Sequence, residues 1–211
     1  MKINQNKIGA NYINGEISQP REDFPDINPA TEEVIGYFPQ SRDEEIDLAL
    51  RSAQDAFVQW KNLSRVQRAE YFWNLAKEIE ENIEEITLAI SLETGKSKNE
   101  SRAEVIEALH MVQYTFGKGR ESCGNIVSSE IPERESYVIR KPKGVVAVVA
   151  PWNFPFAIGG FWCASPAILE GNTVVFKPSE LTPMVGQITA ELFANAKFPP
   201  GVFNLLHGAV S

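Results

Sequence analysis

Between residues 41 and 118, apolar residues return every three or four positions, which is the period of an α-helix. Four polar capping patterns precede these segments, each a Ser or Asn followed three residues later by Glu or Gln, at Ser41, Ser64, Asn82 and Ser97. The pattern predicts four helices, the third of which ends at Gly95 in a left-handed cap. Their predicted inward-facing residues include Ile46, Leu50, Trp73, Leu109 and Phe116.

Residues 1–40 have the pattern of a strand-rich arm instead. The letters NG at 14–15 predict a tight hairpin turn, and NPAT at 28–31 predicts a turn before a short strand over 34–38. Beyond the helices, apolar residues at 126–127 and 137–139 flank a polar turn. They predict a two-stranded β-ribbon over 125–140, whose exposed edges need a partner or a cover.

From residue 142 the pattern becomes that of an α/β protein. Apolar runs at 145–149, 173–176 and 202–206 alternate with helical segments over 156–169 and 183–196. Strands joined by helical crossovers form a parallel, doubly wound sheet. A continuous run such as VVAVV at 145–149 is typical of a strand that is buried on both faces.

The predicted fold class is therefore α/β, with a helical N-terminal region and a β-ribbon that lead into the first strands of a parallel, doubly wound sheet. This divides the chain into residues 1–124, the ribbon at 125–141, and residues 142–211. A sheet of this kind ordinarily has more strands, so the sequence is interpreted as the N-terminal portion of a larger protein.

Composition and charge narrow the functional classes. The chain of 211 residues is 43% hydrophobic and has a net charge of −8, with no basic stripe, which argues against nucleic acid as a partner. Its apolar runs fall short of the roughly 20 residues of a membrane span, and no signal segment opens it. Cys123 and Cys163 form neither a disulfide framework nor a metal-site pattern. We expect a cytoplasmic protein without a bound metal.

Several chemical motifs fail on inspection. ETGKS at 93–97 lacks the first glycine of a phosphate-binding loop, and GKG at 117–119 lacks the third glycine of a dinucleotide-binding fingerprint. Both are expected to be helix ends. His110 lies in the fourth predicted helix and is expected to be structural or on the surface, whereas His207 follows a strand and could lie near a ligand.

Two polar motifs follow predicted strands, at the sheet edge where ligands bind in such folds. In APWNFP at 150–155, two prolines restrict the backbone around Asn153, and a rigidly held amide can stabilise an oxyanion. A capping Asn in a Pro-rich loop explains this motif equally well. In KPSE at 177–180, Lys177 and Glu180 could bind the hydroxyls of a ribose, or form only a surface ion pair.

Taken together, these motifs resemble those of the aldehyde dehydrogenase superfamily. Six motifs occur in the order typical of that family and span essentially the whole chain. They are NPAT at 28–31, ETGK at 93–96, PWNFP at 151–155, GNTVV at 171–175, KPSE at 177–180 and PGVFN at 200–204. The family binds NAD without the glycine fingerprint, so its absence here is consistent with the resemblance.

The resemblance implies that a cysteine thiolate attacks an aldehyde, that hydride passes to NAD, and that water releases a carboxylic acid. It implies that Asn153 is the catalytic side chain of an oxyanion hole. It also implies a preference for NAD over NADP, because Glu180 would repel a 2′-phosphate, and a homo-oligomer assembled through the ribbon at 125–140. The implied cofactor-binding residues are Ala150, Pro151, Trp152, Asn153, Lys177, Ser179 and Glu180.

The sequence also departs from the family. The catalytic cysteine and the general-base glutamate belong to a segment beyond this chain, and Cys123 and Cys163 match neither position. Cys163 stands where several relatives have a lysine, and Val210 where many have a glycine beside the cofactor. We therefore expect the 211-residue chain to be inactive alone. The alternative is a non-catalytic binding or assembly module, whereas an ordinary Rossmann reductase is disfavoured by the missing fingerprint.

Overall fold

A computed structural model describes residues 7–18 and 23–209; Val210 lies outside the described residues. The described strands are β1 (Lys7–Ile8), β2 (Asn11–Ile13), β3 (Glu16–Ser18), β4 (Asp23–Ile27), β5 (Val34–Pro39), β6 (Gly124–Val127), β7 (Ser136–Ile139), β8 (Val145–Val149), β9 (Thr173–Lys177) and β10 (Phe203–Leu205). The described α-helices are α1 (Asp43–Trp60), α2 (Arg65–Glu81), α3 (Ile83–Thr94), α4 (Lys98–Lys118), α5 (Ala164–Leu169) and α6 (Pro183–Asn195). A π-helix, Ala157–Cys163, leads directly into α5.

Three of the four predicted helices begin where the sequence indicated, and two of them have the predicted cap. Ser64 and Ser97 form reciprocal capping boxes at the start of α2 and α4. Asn82 precedes α3, but its side chain donates to the carbonyl of Glu78 at 2.7 Å instead of capping the helix. Gly95 ends α3 with a positive φ of 71°, as its position predicted.

The predicted cap at Ser41 is wrong by one residue. The N-cap of α1 is Arg42, whose N–H donates to the carboxylate of Glu45 at 2.7 Å. Ser41 is occupied elsewhere, because its hydroxyl accepts a hydrogen bond from the side-chain amide of Asn11 at 2.9 Å. A tertiary contact with the arm therefore replaces the local cap.

Some predicted inward-facing residues are exposed. Ile46 and Leu50 of α1 lie on the surface, and so does Trp73 of α2. Helix α1 approaches the sheet through small residues instead: the carbonyl of Ala53 accepts a hydrogen bond from the Thr173 hydroxyl at 2.9 Å. Because the helix lies so close to the sheet, its buried residues are mostly small, and the larger Ile46 and Leu50 lie outside the buried face.

The central sheet has five strands in the order β3-β2-β10-β9-β8. Strands β8, β9 and β10 are parallel, as predicted, but the hairpin β2–β3 of the arm joins them with Tyr12 antiparallel to Leu205. Asn14 and Gly15 form the hairpin turn with positive φ values of 53° and 82°. The sheet is therefore mixed, which the sequence pattern did not indicate.

The expectation that 145–149 is buried on both faces is wrong for the described chain. Strand β9 lies between β10 and β8, and its residues from Thr173 to Phe176 are buried. Strand β8 lies at the edge and pairs with β9 alone among the described strands, which leaves Val149 72% exposed.

The larger hydrophobic core lies between the central sheet and the helices, with stacked Phe193 and Phe203 at 4.1 Å between ring centroids. A smaller cluster packs Ala49 and Ala53 of α1 with Val175 of β9. Strands β1, β5 and β4 form a separate three-stranded sheet. The predicted ribbon forms as β6 paired with β7, in a register that places Ile126 opposite Tyr137, and both side chains are exposed. In the described part of the chain, no helix is long and apolar enough to cross a membrane.

Candidate functional site

The two strand-end motifs lie side by side at the carboxyl edge of the sheet. Strands β8 and β9 pair in a register that sets Val149 opposite Lys177, and the N–H of Ala150 donates to the Lys177 carbonyl at 3.0 Å. The loops at 150–155 and 177–180 therefore leave the sheet together. Trp152 and Glu180 line one cleft of about 290 Å³, whose opposite wall comes from the arm.

Asn153 is exposed on the first of these loops. Its side-chain amide forms no hydrogen bond with any residue that the structure describes, so both its donors are available to a ligand. Pro151 and Pro155 restrict the backbone on either side.

A buried carboxylate anchors the end of this loop. One oxygen of Glu104, on α4, accepts hydrogen bonds from the N–H groups of Phe156 at 2.8 Å and Ala157 at 3.2 Å. The other accepts from Lys96 Nζ at 2.7 Å, and that ammonium lies 4.2 Å from the centroid of the Phe154 ring. Helix α4 and the ETGK motif therefore set the position of the Asn153 loop.

Sequence reasoning missed Glu104. The signal that could have found it is its position: Glu104 lies on the inward face of α4 beside Ser101 and Val105, both buried. A charged residue on a buried face must be paired, because an isolated buried charge is costly. The ETGK motif, correctly interpreted as a helix end, supplies its partner Lys96.

The second loop, KPSE, is also held firmly. Lys177 Nζ lies 3.7 Å from the Glu180 carboxylate, and the two side chains keep 30% and 32% of their surface exposed, so both remain accessible to a ligand. Ser179 is buried, and its hydroxyl accepts from the N–H of Leu181 at 3.2 Å. Ser179 therefore shapes the turn, whereas Glu180 lines the cleft and Lys177 lies beside Glu180.

Two neighbouring carboxyl groups, those of Asp26 and Glu93, lie at the cleft, and Glu93 is one of its lining residues. Glu93 accepts from the N–H groups of Met184 at 2.5 Å and Val185 at 2.8 Å, at the positive end of the α6 dipole. Burial raises the pKa of the neighbouring Asp26 to about 6. Burial, and then the charge of Asp26, raise the pKa of Glu93 well above its usual value. This pair was not predicted.

A second cavity of about 420 Å³ lies beside the Asn153 loop. The faces of Phe154, Ile158 and Trp162 line it, together with Ala157 and the carboxylate-bearing Glu107 of α4. The π-helix places Ile158 and Trp162 on its wall. This cavity was not predicted either, because its residues come from three separate elements.

The histidines and cysteines lie apart from the cleft. His207 is buried against Phe38, and its Nε2 lies 3.3 Å from the Gln187 side-chain oxygen, so its suggested nearness to a ligand is not supported. His110 is exposed on α4. Cys123 and Cys163 are exposed and unbridged. Among the described residues, no group of three or more His, Cys, Asp or Glu side chains could hold a metal ion.

Comparison with known proteins identifies the family to which this chain is similar. Residues 17–211 match the sequence model of the aldehyde dehydrogenase family. The malonate-semialdehyde dehydrogenase of Bacillus velezensis is 39% identical over 201 residues, and a malonate-semialdehyde dehydrogenase of Geobacillus kaustophilus is 38% identical over 201. Both alignments cover 94% of this chain and 41% of the relative. The chain thus spans about two fifths of the length of these curated relatives.

Solved structures have the same fold. Lactaldehyde dehydrogenase from Escherichia coli superposes with a TM-score of 0.89 and 32% identity, over 96% of this chain and 43% of that one. Aldehyde dehydrogenase C from Pseudomonas syringae, solved with NAD⁺ and octanal, gives 0.85 and 35%, over 95% and 41%. An enzyme of E. coli described as NADP dependent gives 0.90 and 30%, over 96% and 42%.

Proposed function

The chain belongs to the aldehyde dehydrogenase family, and on that premise we propose that the complete protein oxidises an aldehyde to a carboxylic acid with NAD. The observation that carries this proposal is the amide of Asn153. It is exposed, without a hydrogen bond to the described residues, on a loop that Glu104 anchors at the end of β8.

In this proposal Asn153 donates to the oxygen of the aldehyde as negative charge develops on it. A donor held in place before the reaction stabilises the oxyanion without reorganisation. The two prolines and the Glu104 anchor limit the motion of the loop. The nucleophile is a cysteine thiolate outside this chain, since neither Cys123 nor Cys163 matches the position of the family's catalytic cysteine.

The proposed cofactor site is the sheet edge next to Asn153, where NAD would supply a hydride acceptor. Lys177 and Glu180 would hold the adenosine ribose, and both keep about a third of their surface accessible. Trp152 and the backbone of Ala150 and Pro151 would contact the remainder of the cofactor. Ser179, buried in its turn, would act by shaping the loop.

We further propose that NAD is preferred to NADP. The Glu180 carboxylate can accept from ribose hydroxyls, but it would repel a 2′-phosphate in a partly desolvated cleft. Similarity alone leaves the preference open, since the related structures include one solved with NAD⁺ and one described as NADP dependent.

We propose a separate role for each of the three segments of the chain. Residues 1–124 and 142–211 would build the cofactor-binding domain, and residues 125–141 would assemble a homo-oligomer. The ribbon supports this by its exposed apolar side chains, among them Ile126 at 76% and Ile139 at 67%. The free, exposed cysteines suit a reducing, cytoplasmic setting.

The test compares two polypeptides: residues 1–211, and the product of the gene read past the codon for Ser211. Both receive NAD with aliphatic and aromatic aldehydes, and NADH is followed by its absorbance. We expect turnover from the longer product alone. A gene that ends at Ser211 would support the alternative, a non-catalytic binding or assembly module.

Turnover by residues 1–211 that disappears in Cys163→Ala or Cys123→Ala would overturn the assignment and make that cysteine the nucleophile. Turnover that survives both changes would point to a contaminating dehydrogenase, and the preparation would be repeated with a different purification tag.

A further inference from the structure

We propose that the aldehyde taken by this protein has a positively charged group at the end remote from its carbonyl, and that Glu107 with the aromatic faces of Phe154 and Trp162 holds that group. This rests on the proposed function and specifies its substrate class. The cavity of about 420 Å³ beside the Asn153 loop provides the site.

The walls of this cavity suit an organic cation. Phe154 and Trp162 keep 40% and 49% of their surface exposed, so part of each ring is open to a ligand, although Lys96 Nζ lies 4.2 Å from the centroid of the Phe154 ring. Ring faces attract cations through their quadrupole, and apolar alkyl groups on the nitrogen pack against the same faces. Ile158 and Ala157 complete the apolar part of the lining.

The residues that line the cavity include one charged side chain. Residues 150–155 of the loop and Ala157–Cys163 of the π-helix include no charged side chain. Lys96 reaches the Phe154 ring, but it is paired with the buried Glu104 at 2.7 Å, so the two neutralise each other. Glu107 alone among the lining residues adds a full charge, and it is negative.

The chain order links this cavity to the reacting end of the substrate. Asn153 directly precedes Phe154, whose ring lines the cavity, so an aldehyde oxygen held by Asn153 leaves the substituent next to this wall. A carboxylate at the far end of the aldehyde would face Glu107 across an apolar surface and would be repelled. A substituted ammonium there would be attracted by the carboxylate and the rings together.

The test measures binding by the 211-residue chain and requires no oxidation. The probes share a branched head of the same shape: choline has a positive charge in that head, dimethylbutanol is its uncharged carbon analogue, and the anion tert-butylacetate has the uncharged head with a carboxylate at its other end. The indole N–H signal of Trp162, assigned with a Trp162→Phe variant, reports binding in NMR titrations. Glu107→Gln removes the charge, and Asp55→Asn, on the exposed face of α1, is the matched control.

We expect choline to bind about tenfold more tightly than dimethylbutanol, with tert-butylacetate weakest, and Glu107→Gln to reduce that preference to about threefold or less. Asp55→Asn should leave it unchanged. Equal affinity for choline and dimethylbutanol, or a preference that survives Glu107→Gln, would overturn the proposal. Either result would leave the NADH assay to decide the reaction separately.

Discussion

The carboxylate of Glu104 accepts a hydrogen bond from the N–H of Phe156 at 2.8 Å, across 52 positions of sequence. The same oxygen accepts from Ala157, so the carboxylate satisfies two donors at the start of the π-helix. These bonds hold the loop that presents Asn153 against α4. The position of the proposed oxyanion donor therefore depends on a buried ion pair as well as on the flanking prolines.

Replacing Glu104 by Ala should loosen this loop. The change removes the acceptor of two backbone N–H groups and leaves Lys96 without its partner, which we expect to lower the free energy of unfolding by about 3 kcal/mol. The amides of Phe156 and Ala157 should exchange with solvent faster than in the unmodified chain. Thermal unfolding and residue-resolved hydrogen exchange measure the two effects.

Two further variants make this prediction specific. Glu104→Gln keeps an acceptor but loses the charge. Its free energy of unfolding and its amide exchange rates should therefore lie between those of the unmodified chain and those of Glu104→Ala. Glu107→Gln, three positions along the same helix but exposed, should leave both amides protected. Unchanged exchange at Phe156 in Glu104→Ala would show that the carboxylate does not hold the loop.

The raised pKa of Asp26 predicts an unusual dependence of the free energy of unfolding on pH. Its folded pKa of about 6 lies above its ordinary value of 3.8, so the folded state binds the proton more tightly than the unfolded state does. This group therefore contributes most to stability below about pH 4, and the contribution is lost as the pH rises to about 6. Burial of the carboxyl group is the cause of this raised pKa.

Asp26→Asn should remove the free-energy cost of holding an ionised carboxylate at this buried position. We expect the variant to gain about 1 to 3 kcal/mol over the unmodified chain at pH 7 and little at pH 4. Urea unfolding at a series of pH values, with the exposed Asp55→Asn as control, gives the difference directly. A gain of the same size at both pH values would mean that the ionisation of Asp26 has no part in it.

Glu180→Ser should change the choice of cofactor in the complete enzyme. The hydroxyl can still bond to a ribose but no longer repels a 2′-phosphate, so the ratio of kcat/KM for NAD to that for NADP should fall several-fold. Steady-state rates with each cofactor measure the ratio. Equal kcat/KM for the two cofactors in the unmodified enzyme would contradict the assigned role of Glu180.

The ribbon predicts a homodimer or a dimer of dimers for the complete protein. Replacing the exposed Ile139 by Lys should shift the assembly to smaller species, because it places a charge on a strand that is to be covered. Light scattering at several concentrations measures the mass. A monomeric mass of the unmodified protein at high concentration would contradict the proposal.

Much of this fold could be predicted from local signals. Ser64 and Ser97 begin their helices, and Gly95 ends α3, through bonds within a few residues. The parallel strands β8 to β10 follow from short apolar runs with helical crossovers. The NG turn at 14–15 predicted its hairpin for the same reason. Such signals depend on neighbours in sequence, so a single sequence is enough to interpret them.

The remaining features depend on contacts between distant segments. Ser41 does not act as the N-cap of α1, because its hydroxyl is hydrogen-bonded to Asn11. The arm hairpin joins the sheet through the pairing of Tyr12 with Leu205. Neither pairing has a periodic signature. The same distinction applies to the candidate site. The strand-end motifs indicated the Asn153 loop from local sequence, whereas the anchoring role of Glu104 depends on the distant helix α4 lying beside that loop.

The most direct test of the proposed function is the effect of Asn153→Ala on kcat/KM for aldehyde in the complete protein. Loss of an oxyanion donor should lower it by about 10² to 10³-fold, while the affinity for NAD changes little. The exposed Asn99→Ala on α4 serves as the control and should match the unmodified enzyme. An Asn153→Ala enzyme that keeps full kcat/KM would contradict the assignment of this loop as the oxyanion site.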